Sequence, residues 1–298
     1  MEIYSSGKVL LTGEYVILDG ALSLASPTKF GQYLKFKKNL SNLINWKSIN
    51  YDGKIWFECS IKNENLQVKS TSSKKVSDTL IRIIKLIRKY NPYFLKNSGS
   101  DISSNLTFDK NWGLGSSSTL ISNLASLSGV DPYLLNNKIF KGSGYDIACA
   151  NSISPIVYRL NKGQNIINEV SFKPPFYEKI YFIYLNKKQS SISEVENYKN
   201  NKVSESVINE ISNITSMILQ CKSIEAYDKL IESHELIISN LISKPTIKES
   251  LFKDFNGSIK SLGAWGGDMI MATSHSNPNN YFIEKGYSTI FKFEELLV

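Results

Sequence analysis

Apolar positions recur along the chain with two different periods, and the changes between them outline a mixture of strands and helices. From residue 2 to 18, Ile3, Val9, Leu10, Leu11, Val16, Ile17 and Leu18 cluster or alternate with polar residues before Asp19-Gly20, which predicts strands closed by a hairpin turn. Further strands are expected over 33–37 and 55–61, separated by loops rich in Asn, Lys and Ser. Over 77–90 the period lengthens. Leu80, Ile81, Ile83, Ile84, Leu86 and Ile87 form a broad apolar face among Asp78, Arg82, Lys85, Arg88 and Lys89, and Asn91-Pro92 ends the predicted helix. A short strand over 103–108, a helix over 119–127 and a strand over 155–160 follow. Composition shifts at Lys173-Pro174-Pro175, so two domains are expected, 1–174 and 175–298. The second contains a buried strand over 179–185, helices over 203–219, 223–241 and 245–255, and strands over 269–273 and 287–293. This pattern predicts a mixture of α and β elements.

At 298 residues, with 42% hydrophobic and 21% charged positions, the chain can bury a sizeable core and lies outside disordered and fibrous compositions. The formal net charge of +8 points towards an anionic ligand, a nucleic acid or a membrane surface. Only Arg82, Arg88 and Arg159 are arginines, so bidentate base readout is poorly supplied and no nucleic-acid partner is expected. No apolar run approaches the length of a membrane span, and no membrane partner is expected. Cys59, Cys149 and Cys221 are too dispersed for a metal pair or a disulfide framework, and the first residues carry no basic segment leading into an apolar one. Together these features predict a cytoplasmic protein. With only His234 and His275, a multi-histidine metal site or a histidine-based triad is hard to build.

Four segments carry candidate chemistry. Gly113-Leu114-Gly115-Ser116-Ser117-Ser118 opens a helix, where two glycines allow tight backbone geometry and three hydroxyls stand beside N–H groups that lack helical partners. Such a loop suits a phosphate, and it also reads as a plain Ser-rich helix start. It matches neither the dinucleotide fingerprint, which needs Gly at 118, nor the Walker loop. Asp146, in the loop Lys141-Gly142-Ser143-Gly144-Tyr145-Asp146, could serve as a general base or as the cap of a short helix. Lys8 could offset charge on a transferring phosphoryl group or lie on the surface. The glycines of 263–268 suggest close backbone approach to a ligand, or a hairpin.

Taken together these segments resemble the GHMP kinase superfamily. Gly7-Lys8-Val9-Leu10-Leu11-Thr12-Gly13-Glu14-Tyr15 is similar to the family's G-K-x-x-L-x-G-E-[HY] segment, with Tyr15 on the phosphomevalonate kinase side. Gly113 to Ser118 is similar to the G-L-G-S-S-[AS] phosphate loop, with Asp109 where an upstream Pro is usual. Leu262-Gly263-Ala264-Trp265-Gly266-Gly267-Asp268 resembles the third motif, with Trp265 in place of a Gly. Gly142-Ser143-Gly144-Tyr145-Asp146-Ile147-Ala148 is similar to the G-S-G-F-D-V-A segment of phosphomevalonate kinases and resembles a bacterial "GYDIA" group of the superfamily. Lys187-Lys188-Gln189-Ser190-Ser191 resembles the substrate-facing loop of mevalonate-pathway kinases.

The resemblance implies a two-domain α+β fold, with an N-terminal domain like ribosomal protein S5 domain 2 and a ferredoxin-like C-terminal domain. It implies ATP and Mg²⁺ as cofactors and a small anionic acceptor, phosphomevalonate or, with the same fold, mevalonate. By the same resemblance Asp146 and Lys8 are catalytic, Gly113, Leu114, Gly115, Ser116, Ser117 and Ser118 hold the nucleotide, and Ser117 reaches the metal. Glu14, Tyr15, Ser143, Gly144, Ser190, Ser191, Gly263, Ala264 and Gly266 fall on the acceptor side. A non-catalytic relative that senses a nucleotide or metabolite is the alternative class. Whether the chain pairs as a homodimer is left open.

Overall fold

A computed structural model describes residues 1–161, 164–189, 194, 198 and 203–298. The chain forms two compact units that interleave in sequence. The first comprises Met1–Gly7, Phe30–Lys110 and Leu114–Asn151, the second Lys8–Lys29, Asn111–Gly113 and Ser152–Val298.

In the first unit, β1 (Glu2–Leu10) pairs with β2 (Ser23–Asn39), whose second half runs antiparallel to β6 (Gly99–Leu106). Next to β6 lies β3 (Leu43–Ile49), parallel to it, and then β4 (Ile55–Lys62) and β5 (Val68–Thr71), both antiparallel to their neighbours. Alternate residues of these strands, Leu34, Ile44, Trp46, Phe57, Cys59, Ile61 and Ile102, enter one core. It is closed by α1 (Lys74–Tyr90) through Leu80, Ile83, Ile84 and Ile87, the face expected from their spacing, and by α2 (Ser116–Ser128) through Ile121 and Leu124. Leu135 of α3 (Pro132–Ile139) and Ile147 of α4 (Tyr145–Ala150) complete it.

The second unit holds the first half of β2, to which β7 (Ile156–Asn161) pairs, followed by β8 (Gln164–Glu169). These pairings put the expected boundary at residue 174 inside this unit. Its other sheet is antiparallel in the order β10-β11-β9-β12, with β9 at Ile180–Tyr184, β10 at Ile259–Leu262, β11 at Met269–Thr273 and β12 at Ile290–Lys292. Helices α5 (Glu205–Gln220), α6 (Ile224–Ile242) and α7 (Ile247–Leu251) lie between β9 and β10 in the chain, and α8 (Asn279–Glu284) between β11 and β12. This β-α-β-β-α-β arrangement is the expected ferredoxin-like one. A last helix, α9 (Phe293–Leu296), caps the end of β12. Among the described residues, no helix is long and apolar enough to cross a membrane.

Three expectations change. The strands predicted to reach residue 18 stop at Leu10. Val16–Asp19 is a 3-10 turn that buries Val16 and Ile17, and Gly20 ends it at φ +91° instead of turning a hairpin. The helix expected over 245–255 is only α7, opened by a reciprocal capping box between Thr246 and Glu249. The polar stretch before residue 55 contains β3, whose Ile44, Trp46 and Ser48 point inward while Lys47 points out.

At the end of α1, Arg88 gathers four carbonyls of the connecting loops: Asn63 at 2.6 Å, Phe94 at 2.9 Å, Leu95 at 3.0 Å and Glu64 at 3.3 Å. A planar guanidinium can satisfy all four at once, and an ammonium cannot. Arg88→Ala is expected to lower the unfolding free energy by about 2 kcal/mol, and Arg88→Lys to recover less than half of the loss, as read from urea denaturation midpoints.

Candidate functional site

The first unit contributes two helix N-termini that begin on left-handed glycines. Gly115 stands at φ +89° as the cap of α2, and no side chain caps that end. The first intrahelical bond runs from the Thr119 N–H to the Gly115 carbonyl, so the N–H groups of Ser116, Ser117 and Ser118 precede it. The hydroxyls divide. Ser118 Oγ donates to the Gly115 carbonyl at 2.8 Å, and Thr119 Oγ1 lies 2.9 Å from Gln32 Oε1, both internal uses. Ser116 is half-buried and Ser117 exposed, and neither hydroxyl bonds another described residue. Leu114, 1% exposed, pins the loop. Three converging N–H groups, two unspent hydroxyls and the positive end of a thirteen-residue helix fit a phosphate group.

The second left-handed cap is Gly144, at φ +88°, which starts α4. Asp146 stands in the first turn, half-buried, with Oδ1 accepting from the Ile147 N–H at 3.1 Å. Its charge reaches the Tyr133 hydroxyl, whose pKa is pushed up to about 12, chiefly by burial. Helices α2 and α4 are tied by Asn151, which accepts from Ser122 Oγ at 2.7 Å and donates to the Ile147 carbonyl at 2.8 Å. Ser143 is buried just before the cap. The helix starts that carry Ser117 and Asp146 thus belong to one packed body.

In the second unit Lys8 Nζ donates to the Gly113 carbonyl at 2.9 Å. Gly113, at φ +75°, lies so close to Asp268 that a Cβ there would come within 2.6 Å of the carboxyl carbon. Asp268 is 7% exposed, and its Oδ1 accepts from the Gln189 N–H at 3.0 Å. Burial raises the Asp268 pKa, against the Gln189 N–H and the charges of Lys8 and Lys188. The Gln189 side chain reaches the carbonyls of Trp265 and Gly266, both at 3.4 Å, so residues 187–189 and the third Gly-rich loop form one layer. Within it Gly263 and Gly266 have φ of +76° and +78°, and Ala264 is buried. The indole of Trp265 is buried as well, with Nε1 donating to the Pro245 carbonyl at 3.0 Å, so this side chain packs inward where the resemblance has a Gly. Ser190 and Ser191 lie outside the described residues.

Glu14 and Tyr15 lie in a buried polar network of the second unit. Glu14 is 1% exposed and Lys260, 0% exposed, places Nζ 2.6 Å from its carboxylate. Lys260 also donates to the Ser261 carbonyl at 2.9 Å and stands 3.8 Å from Glu235. Burial pushes the Glu235 carboxyl up to about 8, with Lys260 opposing and Glu14 adding to the shift. His234 is held well below the ordinary histidine range by burial, then by Lys260. It is neutral and accepts the Gly13 N–H through Nε2 at 2.9 Å, which leaves its proton on Nδ1. Its 3.5 Å approach to Glu14 is therefore not an ion pair. Tyr15, at φ +65° and ψ −57°, accepts the Trp265 N–H at 3.0 Å and donates to Glu194 at 3.1 Å.

Sequence reasoning passed over Lys260, Glu235 and Asp268. A charged residue inside the apolar run Ile259-Lys260-Ser261-Leu262, just before a Gly-rich turn, was the available signal for the first.

No protein-family model matches the sequence, and no curated protein matches it. Solved structures do. The mevalonate kinase of Methanococcus jannaschii is similar at a TM-score of 0.70 and 17% identity, over 98% of this chain and 96% of that one. The Streptococcus pneumoniae phosphomevalonate kinase, in complex with phosphomevalonate and AMPPNP, is similar at 0.73 and 16%, over 98% and 99%. The galactokinase of Lactococcus lactis, complexed with galactose, is similar at 0.68 and 11%, over 100% and 93%. The chain has the GHMP kinase fold. At these identities the likeness extends to the architecture alone.

The buried cluster has a measurable signature. An acid with a raised folded pKa keeps its proton in the folded chain where the unfolded chain has lost it, so stability falls as pH rises through that interval. For Glu235 the interval runs from the ordinary glutamate range to about 8. The depressed His234 acts in the opposite sense, but only below the ordinary histidine pKa of about 6.5. The melting temperature is expected to fall between about pH 6.5 and pH 8 in the wild type and to stay nearly level in Glu235→Gln, as read by calorimetry.

Proposed function

We propose that this chain is an ATP-dependent small-molecule kinase that transfers the γ-phosphoryl group to phosphomevalonate. The observation that carries the reading is the start of α2, where Gly115 turns the chain and the N–H groups of Ser116 to Ser118 stand ahead of the helical ladder. The similar S. pneumoniae enzyme, complexed with AMPPNP and phosphomevalonate, supports the choice of nucleotide and acceptor.

In this reading Gly113, Leu114, Gly115, Ser116, Ser117 and Ser118 form the phosphate cradle, and the exposed Ser117 hydroxyl is the group that would reach Mg²⁺. Mg²⁺ bound there would supply charge neutralisation for the phosphate group. Asp146, at the start of α4, accepts or orients the proton of the acceptor oxygen, and Lys8 offsets charge on the transferring group. The resemblance counts Ser143 and Gly144 of the first unit, Tyr15, Gly263, Ala264 and Gly266 of the second, and Ser190 and Ser191 as acceptor-side residues. Glu14 acts there from behind, through the loop it anchors to Lys260. The net charge of +8 suits a site whose two ligands are anions. Mevalonate as acceptor is the second reading, favoured by the likeness to the M. jannaschii mevalonate kinase.

ADP release with Mg-ATP, measured in parallel with phosphomevalonate and with mevalonate, tests both. Turnover of phosphomevalonate alone is the expected result, and turnover of mevalonate alone moves the acceptor and keeps the chemistry. Asp146→Asn is expected to lower kcat by about 10²- to 10⁴-fold with a small change in the KM for ATP. A fully active Asp146→Asn protein removes Asp146 from the mechanism. Nucleotide binding with no ADP release from any acceptor identifies a sensor.

A further inference from the structure

Asp268 ends the third Gly-rich loop and is 7% exposed. Its backbone is locked on both sides, the N–H donating to the Lys187 carbonyl at 2.7 Å and the carbonyl accepting from the Leu185 N–H at 2.8 Å. The residue stands at φ +50°, a region that Asp and Asn tolerate best among residues with a side chain. Of its two carboxylate oxygens, Oδ1 takes the Gln189 N–H. The other, Oδ2, faces Gly113 so closely that a Cβ on that glycine would sit 2.7 Å from it. The Gly113 carbonyl, in turn, accepts the Lys8 ammonium at 2.9 Å. Lys8, Gly113 and Asp268 therefore form one contact group within the second unit, at the residue where the phosphate-loop sequence begins.

A carboxylate removed from water persists as an anion only where a cation or several donors compensate it. The cations that act on Asp268 are Lys8 and Lys188. Lys188 is exposed, so water screens its charge, whereas Lys8 is half-buried and acts through less solvent. We propose that Asp268 is a positioning residue whose carboxylate orients the Lys8 ammonium and seats Gly113 at the head of the phosphate loop. The inference rests on the kinase reading for its consequence in turnover, and on the geometry alone for the placement of Lys8. An Asn at 268 keeps the backbone conformation and an oxygen for the Gln189 N–H, and removes only the charge. Glycine is required at 113 both by its φ and by the carboxylate against it.

The test uses the purified full chain and two readouts. The first is the titration of Lys8, followed by competitive acetylation across pH and mass spectrometry. Removing a neighbouring anion destabilises the ammonium, so Asp268→Asn is expected to lower the Lys8 pKa by about one unit. The second is steady-state ADP release, in which Asp268→Asn is expected to lose about tenfold or more in kcat while the KM for ATP changes less than about threefold. As a reciprocal, in Lys8→Met the Asp268 carboxyl, read by carbon NMR, is expected to titrate about one unit higher than in the wild type. That measurement stands in if the Asn variant does not fold. An unshifted Lys8 titration in Asp268→Asn, or an unshifted carboxyl in Lys8→Met, overturns the proposal. If the wild type releases no ADP with either acceptor, the kinase reading fails by itself, and the two titrations still decide whether Asp268 holds Lys8.

Discussion

An ammonium group without water organises the second unit. Lys260 sits in β10 with no exposed surface, and an isolated charge in that place would cost far more than the fold could supply. Its neighbours follow from that constraint. Glu14 meets it at 2.6 Å, His234 is neutral, and burial holds the proton on Glu235 against the pull of Lys260. Because Glu14 lies between Gly13, bonded to His234, and Tyr15, bonded to the Trp265 N–H, the ion pair fixes the turn after β1 against the loop after β10. Two Gly-rich stretches far apart in sequence are thereby held in one arrangement before any ligand arrives.

In the proposed reading, an anion is held mostly by backbone groups. With three arginines among 298 residues, the chain has few of the forked side chains that usually grip phosphate. Glycines at 115 and 144 instead turn the chain into helices whose first N–H groups lie ahead of the helical ladder. Side chains refine this frame. Ser118 and Thr119 turn their hydroxyls inward to hold the first turn of α2, which leaves Ser116 and Ser117 as the ones with bonding capacity to spare.

Much of the architecture was legible in the order of residues. The broad apolar faces of α1, α5 and α6 announce their helices, and KIYFIYL announces β9, because burial in those elements follows a single period. Val16 and Ile17 misled because a buried 3-10 turn and a strand end present the same short apolar run. Strand β3 hid because its inward residues include Ser48, which is satisfied by Ser104 and Trp46 rather than by apolar contact. At the candidate site, the glycines and hydroxyls of 113–118 were readable because their chemistry is local. Lys260, Glu235 and Asp268 were not, since each takes its meaning from a partner that the fold brings from elsewhere in the chain.

The interleaving of the two units bears on the order in which the chain can be built. Every segment of the first unit has been synthesised once residue 151 leaves the ribosome. Residues 8–29 are then still without their bonds to Thr215, His234 and Trp265 and without the bridge from Thr28 to Leu297. Buried in the finished protein, Leu10, Leu11, Val16 and Ile17 must therefore wait for residues 152–298 with their apolar surface unspent. The nascent protein thus carries this apolar segment uncovered for as long as the rest of the second unit is still being made.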